Sequence, residues 1–448
     1  MSGPRPLPTS AAAAAVLALT LVLAPVAAVP VGQTPTERPG PDALRPPSEA
    51  LPASTGTTPI VAERNTTGYL DLATTVRTSR FGTATFDVGG AVAADGGRTH
   101  STYQATRLRT AFAETDGNRT EQRLVVARSA DRIDEDITVL EQRAQSALDR
   151  YNAGTTSTRT YLRELAAIDA AADSLRDTVD LLSTYNSAAD EPIPPARIAA
   201  QKARLLPLQG PVRDRALAAM RGDTPSVRVF VETSERGVVL ATIDRSGFTP
   251  RYIREAHVPS ARDPDGTDRF LLGASRAESL ERAQERAAEL YPWTFDNRGP
   301  IDTGTFTGPP YLFRTGVYPV IVDHPHAPSE SGDLRIFLDG STRDVYREVQ
   351  FKDLPEVPTT FAAANSSDGV SLSVNRTRSG GPMQVTVTNA STGEPLAADV
   401  LVNGEPAGRT GGEGQYWVIA PRPTANVTVV HDGTAVSVEV FSDGAPTG

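Results

Sequence analysis

The spacing of apolar residues changes near residue 223, and this change limits what the chain can fold into. Before it, apolar residues recur every three or four positions, as on one face of a helix. After it, they alternate in short runs, as in strands with one buried side. The pattern predicts a multidomain α+β protein with a long antiparallel helical hairpin, an α+β sheet-plus-helix domain and a C-terminal β-sandwich. With 448 residues, the chain is long enough for several separate cores.

Residues 60–222 are assigned to the mostly helical domain. Residues 124–151 and 162–182 both show the narrow apolar seam of a coiled coil, and a Gly/Thr/Ser segment at 154–158 separates them. We expect two arms that fold back on each other, each about 40–50 Å long at about 1.5 Å per residue. The glycines within residues 69–93 predict at most a short β-hairpin there.

Residues 223–356 are assigned to the α+β domain. Ser275 stands directly before an amphipathic run, and Glu278 follows three positions later, which predicts a helix over 275–290 that begins with a capping box. Short apolar runs on both sides of this helix predict strands that it covers. The predicted strands are 227–231, 238–243, 252–258, 317–322, 334–338 and 343–351.

Residues 357–442 are assigned to the β-sandwich, because they are rich in Val and Thr and carry turn dipeptides such as Asn403-Gly404 and Asp432-Gly433. Within them, the segment TGEPLAADVLVNGEPAGRTGGEGQYWV resembles the carboxypeptidase-regulatory-like, transthyretin-like modules. That resemblance implies an Ig-like or transthyretin-like sandwich with an accessory, non-catalytic role. Residues 443–448 form a tail.

The N-terminus carries an uncharged apolar run at residues 11–29, preceded by a single basic residue, Arg5. This pattern predicts that residues 1–29 are a signal peptide for the general secretory route, with an uncleaved membrane anchor as the alternative. Eight prolines within residues 30–59 predict an extended linker. The expected location is therefore extracellular or at the cell surface, with membrane contact only through an uncleaved N-terminus.

The charge balance excludes several classes of protein. Acidic residues outnumber basic ones 54 to 44, and a net charge of −10 disfavours nucleic-acid partners. The chain has no cysteine, so it has neither disulfides nor thiolate sites. Lysine occurs only at Lys202 and Lys352, and this acidic, arginine-rich composition resembles that of secreted and cell-surface proteins of halophilic archaea.

One compact group of potential metal ligands stands out. Asp323, His324 and His326 follow the predicted strand at 317–322, and Glu348 is a candidate fourth ligand on a neighbouring strand. The favoured interpretation is a polar loop, so no catalytic residue, metal or cofactor is predicted. The alternative is a secreted metal-dependent hydrolase at this cluster. A second alternative is a modulator of secreted peptidases, because residues 332–350 resemble the ending of small domains in peptidase propeptides.

The most consistent interpretation is an exported, non-enzymatic protein with a binding or structural role at the envelope. Its expected partners are envelope or surface-layer proteins or glycans. Export would also make the Asn-X-Ser/Thr sequons available for N-glycosylation. These sequons lie at Asn65, Asn118, Asn365, Asn375, Asn389 and Asn426.

Overall fold

A computed structural model describes the fold over most of the chain after residue 60. The predicted signal peptide or anchor, the linker and the tail lie outside the described residues, as do Asn65, Asp323, His324 and His326. All described residues belong to one compact unit. The described ranges are 61–64, 67–72, 76–297, 312–322, 334–378, 380–422 and 424–441.

A seven-stranded antiparallel sheet connects the N-terminal and middle parts of the chain. Its strand order is β3-β4-β5-β6-β9-β8-β7, and a two-stranded pair, β1-β2, precedes it in the chain. The strands are β1 (Val61–Arg64), β2 (Thr67–Leu70), β3 (Thr78–Ala84), β4 (Val227–Thr233), β5 (Val238–Asp244), β6 (Arg251–His257), β7 (Val317–Val322), β8 (Leu334–Asp339) and β9 (Val345–Asp353). The structure therefore contains the strands predicted after residue 223.

Strand β3 corrects the expectation of a short β-hairpin at residues 69–93. It pairs with β4 instead, with Phe81 opposite Phe230. The part of the chain assigned to a helical domain thus supplies an edge strand of the sheet. Sequence spacing could not reveal this pairing, because the two strands are separated by all the helices of the N-terminal region.

Five helices lie between β3 and β4, and two more follow β6. They are α1 (Val88–Ala113), α2 (Arg119–Asn152), α3 (Thr158–Ala188), α4 (Pro195–Leu205), α5 (Pro211–Arg221), α6 (Arg276–Leu290) and α7 (Pro292–Asn297). Helix α3 packs against α2, but also against α1, α4 and α5. The predicted long hairpin is therefore not confirmed as a separate unit, because its two stretches are part of a larger bundle.

Helix α1 was not predicted, because it lacks a stripe of large apolar residues. Its buried positions are mostly small, including Gly90, Ala94 and Ser101. A Cβ atom placed on Gly97 would lie 3.0 Å from the Cβ of Ala171 on α3. Small residues let the two helix backbones approach closely, and this packing leaves no apolar periodicity in the sequence.

Helix α6 confirms the predicted capping box. The Ser275 side chain accepts from the backbone nitrogen of Glu278, and the Glu278 carboxylate accepts from the backbone nitrogen of Ser275. At the other end, Tyr291 is buried against the core formed with β7 and β8. These contacts fix the helix on the sheet, as the sequence indicated.

The C-terminal residues form a β-sandwich of two four-stranded sheets, β10-β11-β12-β15 and β14-β13-β16-β17. The core between the sheets consists mainly of valines. Asn403-Gly404 and Asp432-Gly433 both have positive φ at the two positions, which confirms the predicted hairpin turns. The strands are β10 (Thr360–Ser367), β11 (Val370–Arg376), β12 (Pro382–Asn389), β13 (Asp399–Val402), β14 (Glu405–Arg409), β15 (Gln415–Ile419), β16 (Thr424–His431) and β17 (Thr434–Phe441).

None of the helices in the described part of the chain is both long enough and apolar enough to span a bilayer.

Candidate functional site

The two central strands of the large sheet, β6 and β9, bury charged side chains on both faces. Consecutive strand residues point to opposite faces, so Arg254 and Glu255 enter different environments. Arg254 lies opposite Gln350 and bonds to Glu348 of β9, whereas Glu255 contacts the N-terminus of α5 on the other face. The sheet therefore carries two buried ionic clusters, one on each face.

The first cluster is centred on Glu348, which is fully buried. Its Oε1 accepts a hydrogen bond of 2.6 Å from Arg254. Its Oε2 accepts from the backbone nitrogen of Leu70 at 2.8 Å and from the Tyr291 hydroxyl at 2.5 Å. One carboxylate thus connects β9, β6, the end of β2 and the end of α6.

This geometry bears on the metal-site alternative. Glu348 is the only one of the four candidate ligands within the described residues, and protein donors already occupy both of its carboxylate oxygens. Within the described ranges, no three Asp, Glu or His side chains are arranged so that they could hold a metal ion. The structure therefore places Glu348 in a structural cluster, whereas Asp323, His324 and His326 lie outside the described residues.

The same face of the sheet receives the C-terminal sandwich. Arg422 forms ion pairs of 3.1 Å with Asp71 after β2 and with Glu232 on β4. The guanidinium of Arg378 lies 3.5 Å from the ring centre of Tyr69. Burial raises the pKa of Glu232, although the neighbouring Arg422 acts in the opposite direction.

An apolar cluster completes this interface. Trp417 and Ile419 of β15 pack with Phe230, Ala241 and Tyr252 of the sheet. Nearby, burial lowers the pKa of Lys352 to about 7, and the positive charge of Arg378 contributes to the shift. Ionic and apolar contacts together fix the sandwich against the sheet.

The second cluster lies on the opposite face, at the N-terminus of α5. Asp169 Oδ1 accepts from the backbone nitrogen of Gly210 at 2.7 Å, and Glu255 Oε2 accepts from that of Val212 at 3.1 Å. Arg213 approaches Glu255 to 2.9 Å. A Cβ atom on Gly210 would lie 1.8 Å from Glu255, so only glycine fits at this position. Two carboxyl groups thus occupy the electropositive end of one helix.

Titratable groups in this second cluster have strongly shifted pKa values. Burial, together with the neighbouring Asp214 carboxyl, raises the pKa of Asp169 to about 9. On the same face, burial and the nearby Arg213 lower the pKa of His257 to about 3. Shifts of this kind occur at catalytic sites and also in structural networks. Here every shifted group is buried among structural partners, which favours the structural role.

Five of the six sequons lie in described residues. Asn118, Asn365 and Asn426 are exposed, whereas Asn375 and Asn389 are half-buried. The Asn118 side chain caps α2 by accepting from the backbone nitrogens of Thr120 and Glu121. These positions show which sequons a modifying enzyme would find at the surface of the folded chain.

Family models match three successive parts of the chain. A domain of unknown function (DUF7096) matches residues 9–225, a family of unknown function (DUF7094) matches residues 229–358, and an archaeal fibronectin-III type-like domain matches residues 362–438. No curated protein and no solved structure matches the chain. The third match fits an archaeal protein with a C-terminal Ig-like module, and it corrects the expected resemblance to carboxypeptidase-regulatory-like modules.

Sequence reasoning missed Arg254 and Glu255 of the two clusters, and Arg422, which joins the sandwich to the sheet. A signal was present, because charged pairs interrupt the apolar strand runs at Arg254-Glu255 and Arg347-Glu348. A charged pair inside a predicted central strand indicates that both faces of the strand are buried and that each charge has a partner.

Proposed function

We propose that this chain is an exported, non-enzymatic protein of the archaeal cell surface, with a binding or structural role at the envelope. The match of residues 362–438 to an archaeal fibronectin-III type-like domain supports this role, because modules of this architecture commonly serve as accessory domains. The apolar run at residues 11–29 supports export. The acidic, arginine-rich composition supports a halophilic source.

The observation that carries the proposal is the way the sandwich is fixed to the sheet. Arg422 connects β4 and the residue after β2 to the module, and Trp417 inserts its ring into an apolar cluster with sheet residues. A module attached in this way holds a constant orientation relative to the sheet. Such an arrangement suits a surface protein that presents several contact faces at fixed positions.

The helices offer one of these faces. Val88, Val92 and Tyr103 on α1 are each more than 60% exposed, and Val139 on α2 is 60% exposed. Val88 and Val92 lie one turn apart on the same side of α1, and contiguous exposed apolar patches mark surfaces that contact other proteins. We propose that this helical surface contacts envelope or surface-layer components, and that exposed sequons such as Asn426 carry glycans.

Cell fractionation of the producing organism tests this proposal. We expect the protein in the envelope or medium, and we expect cross-linking of intact cells to join it to envelope proteins. Leu19→Arg places a charge in the apolar run and is expected to retain the protein in the cytosol. Leu51→Arg, outside that run, is the matched control. Wild-type protein that stays in the cytosol would contradict the proposal.

The hydrolase alternative gains no support from Glu348, whose oxygens are already bonded within the protein. It stays a prediction, and zinc analysis of the purified protein tests it. Stoichiometric zinc that is lost in His324→Ala and His326→Ala variants would favour the hydrolase. The role as a modulator of secreted peptidases also stays a prediction, and inhibition assays against such peptidases address it.

A further inference from the structure

A short N-terminal segment, residues 68–72, lies between the large sheet, the end of α6 and the C-terminal sandwich. We call it the strap. Its strand residues pair with β1 in a two-stranded sheet of their own, outside the seven-stranded sheet. The side chains at positions 69–72 are at most 8% exposed. A Cβ atom on Gly68 would lie 2.7 Å from the Tyr291 ring, so the strap fills its groove closely.

Side chains of the sheet bind the backbone of the strap. Glu348 accepts from the backbone nitrogen of Leu70 at 2.8 Å, and Arg254 donates to the carbonyl of Leu70. Gln350 donates to the carbonyl of Gly68 at 2.7 Å. Groups that bind an extended backbone recognise it whichever chain supplies it. The groove therefore does not require that the strap belong to the same copy of the chain.

Two side chains of the strap give the groove its sequence preference. Asp71 pairs with Arg422 of the sandwich at 3.1 Å. The guanidinium of Arg378, also from the sandwich, lies 3.5 Å from the ring centre of Tyr69. An occupant must therefore supply an aromatic ring and, two positions later, a carboxylate. The strap of a second copy meets both requirements, because it has the same sequence.

Removal of the strap without a replacement would leave an unstable groove. Glu348 and Gln350 are fully buried and would lose hydrogen-bond partners. Leu70 and Leu72, which belong to the core formed with β7 and β8, would become exposed. Exchange of straps between two copies avoids this loss, because every contact is remade with the strap of the other copy. The contacts therefore favour exchange over simple release.

The connection after the strap limits how two copies can be arranged. Arg77, whose backbone nitrogen donates to the carbonyl of Thr233 at 2.7 Å, is fixed to β4. Five Cα–Cα steps join it to Leu72, about 18 Å at full extension. An exchanged strap must therefore enter a groove close to its own sheet, and a two-fold axis meets this requirement for both copies at once. We propose that this chain forms a two-fold dimer in which the strap of each copy occupies the groove of the other.

Dimer formation by exchange depends on the protein concentration during folding. A strap tethered beside its own groove has an effective concentration on the order of 1 mM. Chains that fold in dilute solution therefore close on themselves, whereas chains that fold at a comparable concentration exchange straps. Because a strap must leave its groove before a dimer can separate, we expect dimers to survive dilution for long enough to be cross-linked.

Cysteine cross-linking tests the proposal on the full chain, which has no cysteine of its own. One chain carries Asp71→Cys in the strap, and a second chain, distinguished by a tag, carries Arg422→Cys in the groove. The two are mixed in urea and refolded together at about 1 mM. The sample is then diluted about 1000-fold, to suppress links made by chance collision, and treated with a short bismaleimide.

Two controls define the result. Arg409→Cys replaces Arg422→Cys in one mixture, because Arg409 is an exposed arginine of the same module that pairs with Asp399 at 3.0 Å. We expect at least about 10-fold less product joining the two chains with Arg409→Cys than with Arg422→Cys. A single chain with both Asp71→Cys and Arg422→Cys, refolded in dilute solution, should form the link within one molecule. That link shows that the variants fold and that the two positions lie within reach.

Light scattering on the wild-type chain provides an independent measurement. Protein refolded at the higher concentration and then diluted should have twice the molar mass of one chain. A wild-type monomer in this sample would overturn the proposal, and so would equal amounts of product joining the chains with Arg422→Cys and Arg409→Cys. Absence of the link within the double variant would remove the contact between strap and sandwich on which the proposal rests. The purified chain is used throughout, so these results do not depend on export, and failure of the dimer is distinguishable from failure of the proposed function.

Discussion

The core of the C-terminal sandwich consists mainly of valines such as Val385 and Val427, whereas the large sheet buries Arg254, Glu255 and Glu348 in its two central strands. Both structures are antiparallel and similar in strand length, yet they depend on different interactions. A valine core needs only neighbouring strands of the same module. A buried carboxylate needs specific donors, and here these come from distant parts of the chain.

This difference predicts how the stability of each region responds to a substitution. In the sandwich, a lost methyl group weakens one module locally. In the sheet, one carboxylate contacts β2, β6 and the end of α6 at once, so its loss affects all three. The following substitutions test this contrast, beginning with the largest expected effect.

Glu348→Gln is expected to lower the free energy of unfolding by about 3–5 kcal/mol, because it leaves the buried Arg254 without its counter-charge. Urea unfolding followed by circular dichroism measures the change. Glu289→Gln is the matched control, because the exposed Glu289 pairs with Arg286 at 2.8 Å on the surface of α6. The control should cost less than about 1 kcal/mol. Equal losses in the two variants would remove the contrast between buried and surface pairs.

Asp169→Asn is expected to change how stability depends on pH. In the folded chain Asp169 keeps its proton up to about pH 9, whereas the unfolded carboxyl, with an ordinary pKa of 3.8, has lost it at neutral pH. The unfolded state then binds fewer protons than the folded state. For each unit by which the pH rises, this group therefore lowers the free energy of unfolding by about 1.4 kcal/mol, or about 3 kcal/mol from pH 6 to pH 8.

Asp169→Asn removes this contribution and keeps an oxygen that can accept from Gly210. Unfolding measured at pH 6, 7 and 8 should therefore give a flatter profile for the variant than for the wild type. Contributions from titrating groups that do not interact with Asp169 cancel in the comparison. Asp190→Asn, at an exposed aspartate, should follow the wild-type profile. Parallel profiles for Asp169→Asn and the wild type would show that Asp169 is ionised in the folded chain.

Val427→Ala is expected to cost about 2 kcal/mol, because it removes two buried carbon atoms from the valine core and leaves a small cavity. Hydrogen exchange should show the loss in β13, β16 and β17 and leave β6 and β9 protected. Val139→Ala, at an exposed position of α2, should have almost no effect. A loss of protection that spreads to β6 and β9 would mean that the sandwich and the sheet unfold together.

Ser275→Ala is expected to have the smallest effect, about 1 kcal/mol, because it removes a cap at one helix end. Thermal unfolding measures this change. Ser391→Ala, at an exposed turn residue, is the control. A loss as large as that of Glu348→Gln would show that α6 supports the ionic cluster through its first turn as well as through Tyr291.

The sequence predicted the parts of the fold that depend on local patterns. Alternating valines and Asn-Gly or Asp-Gly turns indicated the sandwich, and Ser275 with Glu278 indicated the start of α6. These signals lie within a few residues of the structure that they specify. The strands of the large sheet after residue 223 were predicted for the same reason.

The parts of the fold and of the site that the sequence did not predict depend on contacts between distant residues. Helix α1 is buried through small residues such as Gly97, so it has no apolar stripe. Strand β3 takes a partner from beyond five helices. For Glu348, the sequence offered a metal ligand as one alternative, because it does not show that Arg254, Leu70 and Tyr291 converge on that carboxylate.

The pairing of β3 with β4 has a consequence for synthesis. A ribosome finishes Thr78–Ala84 long before Val227–Thr233, and the partners of β6 on β9 follow later still. Until then β3 has no strand partner, and the sheet cannot be completed. The nascent chain must therefore remain unaggregated while most of its length is made, which gives any chaperone that shields the first hundred residues a long interval in which to act.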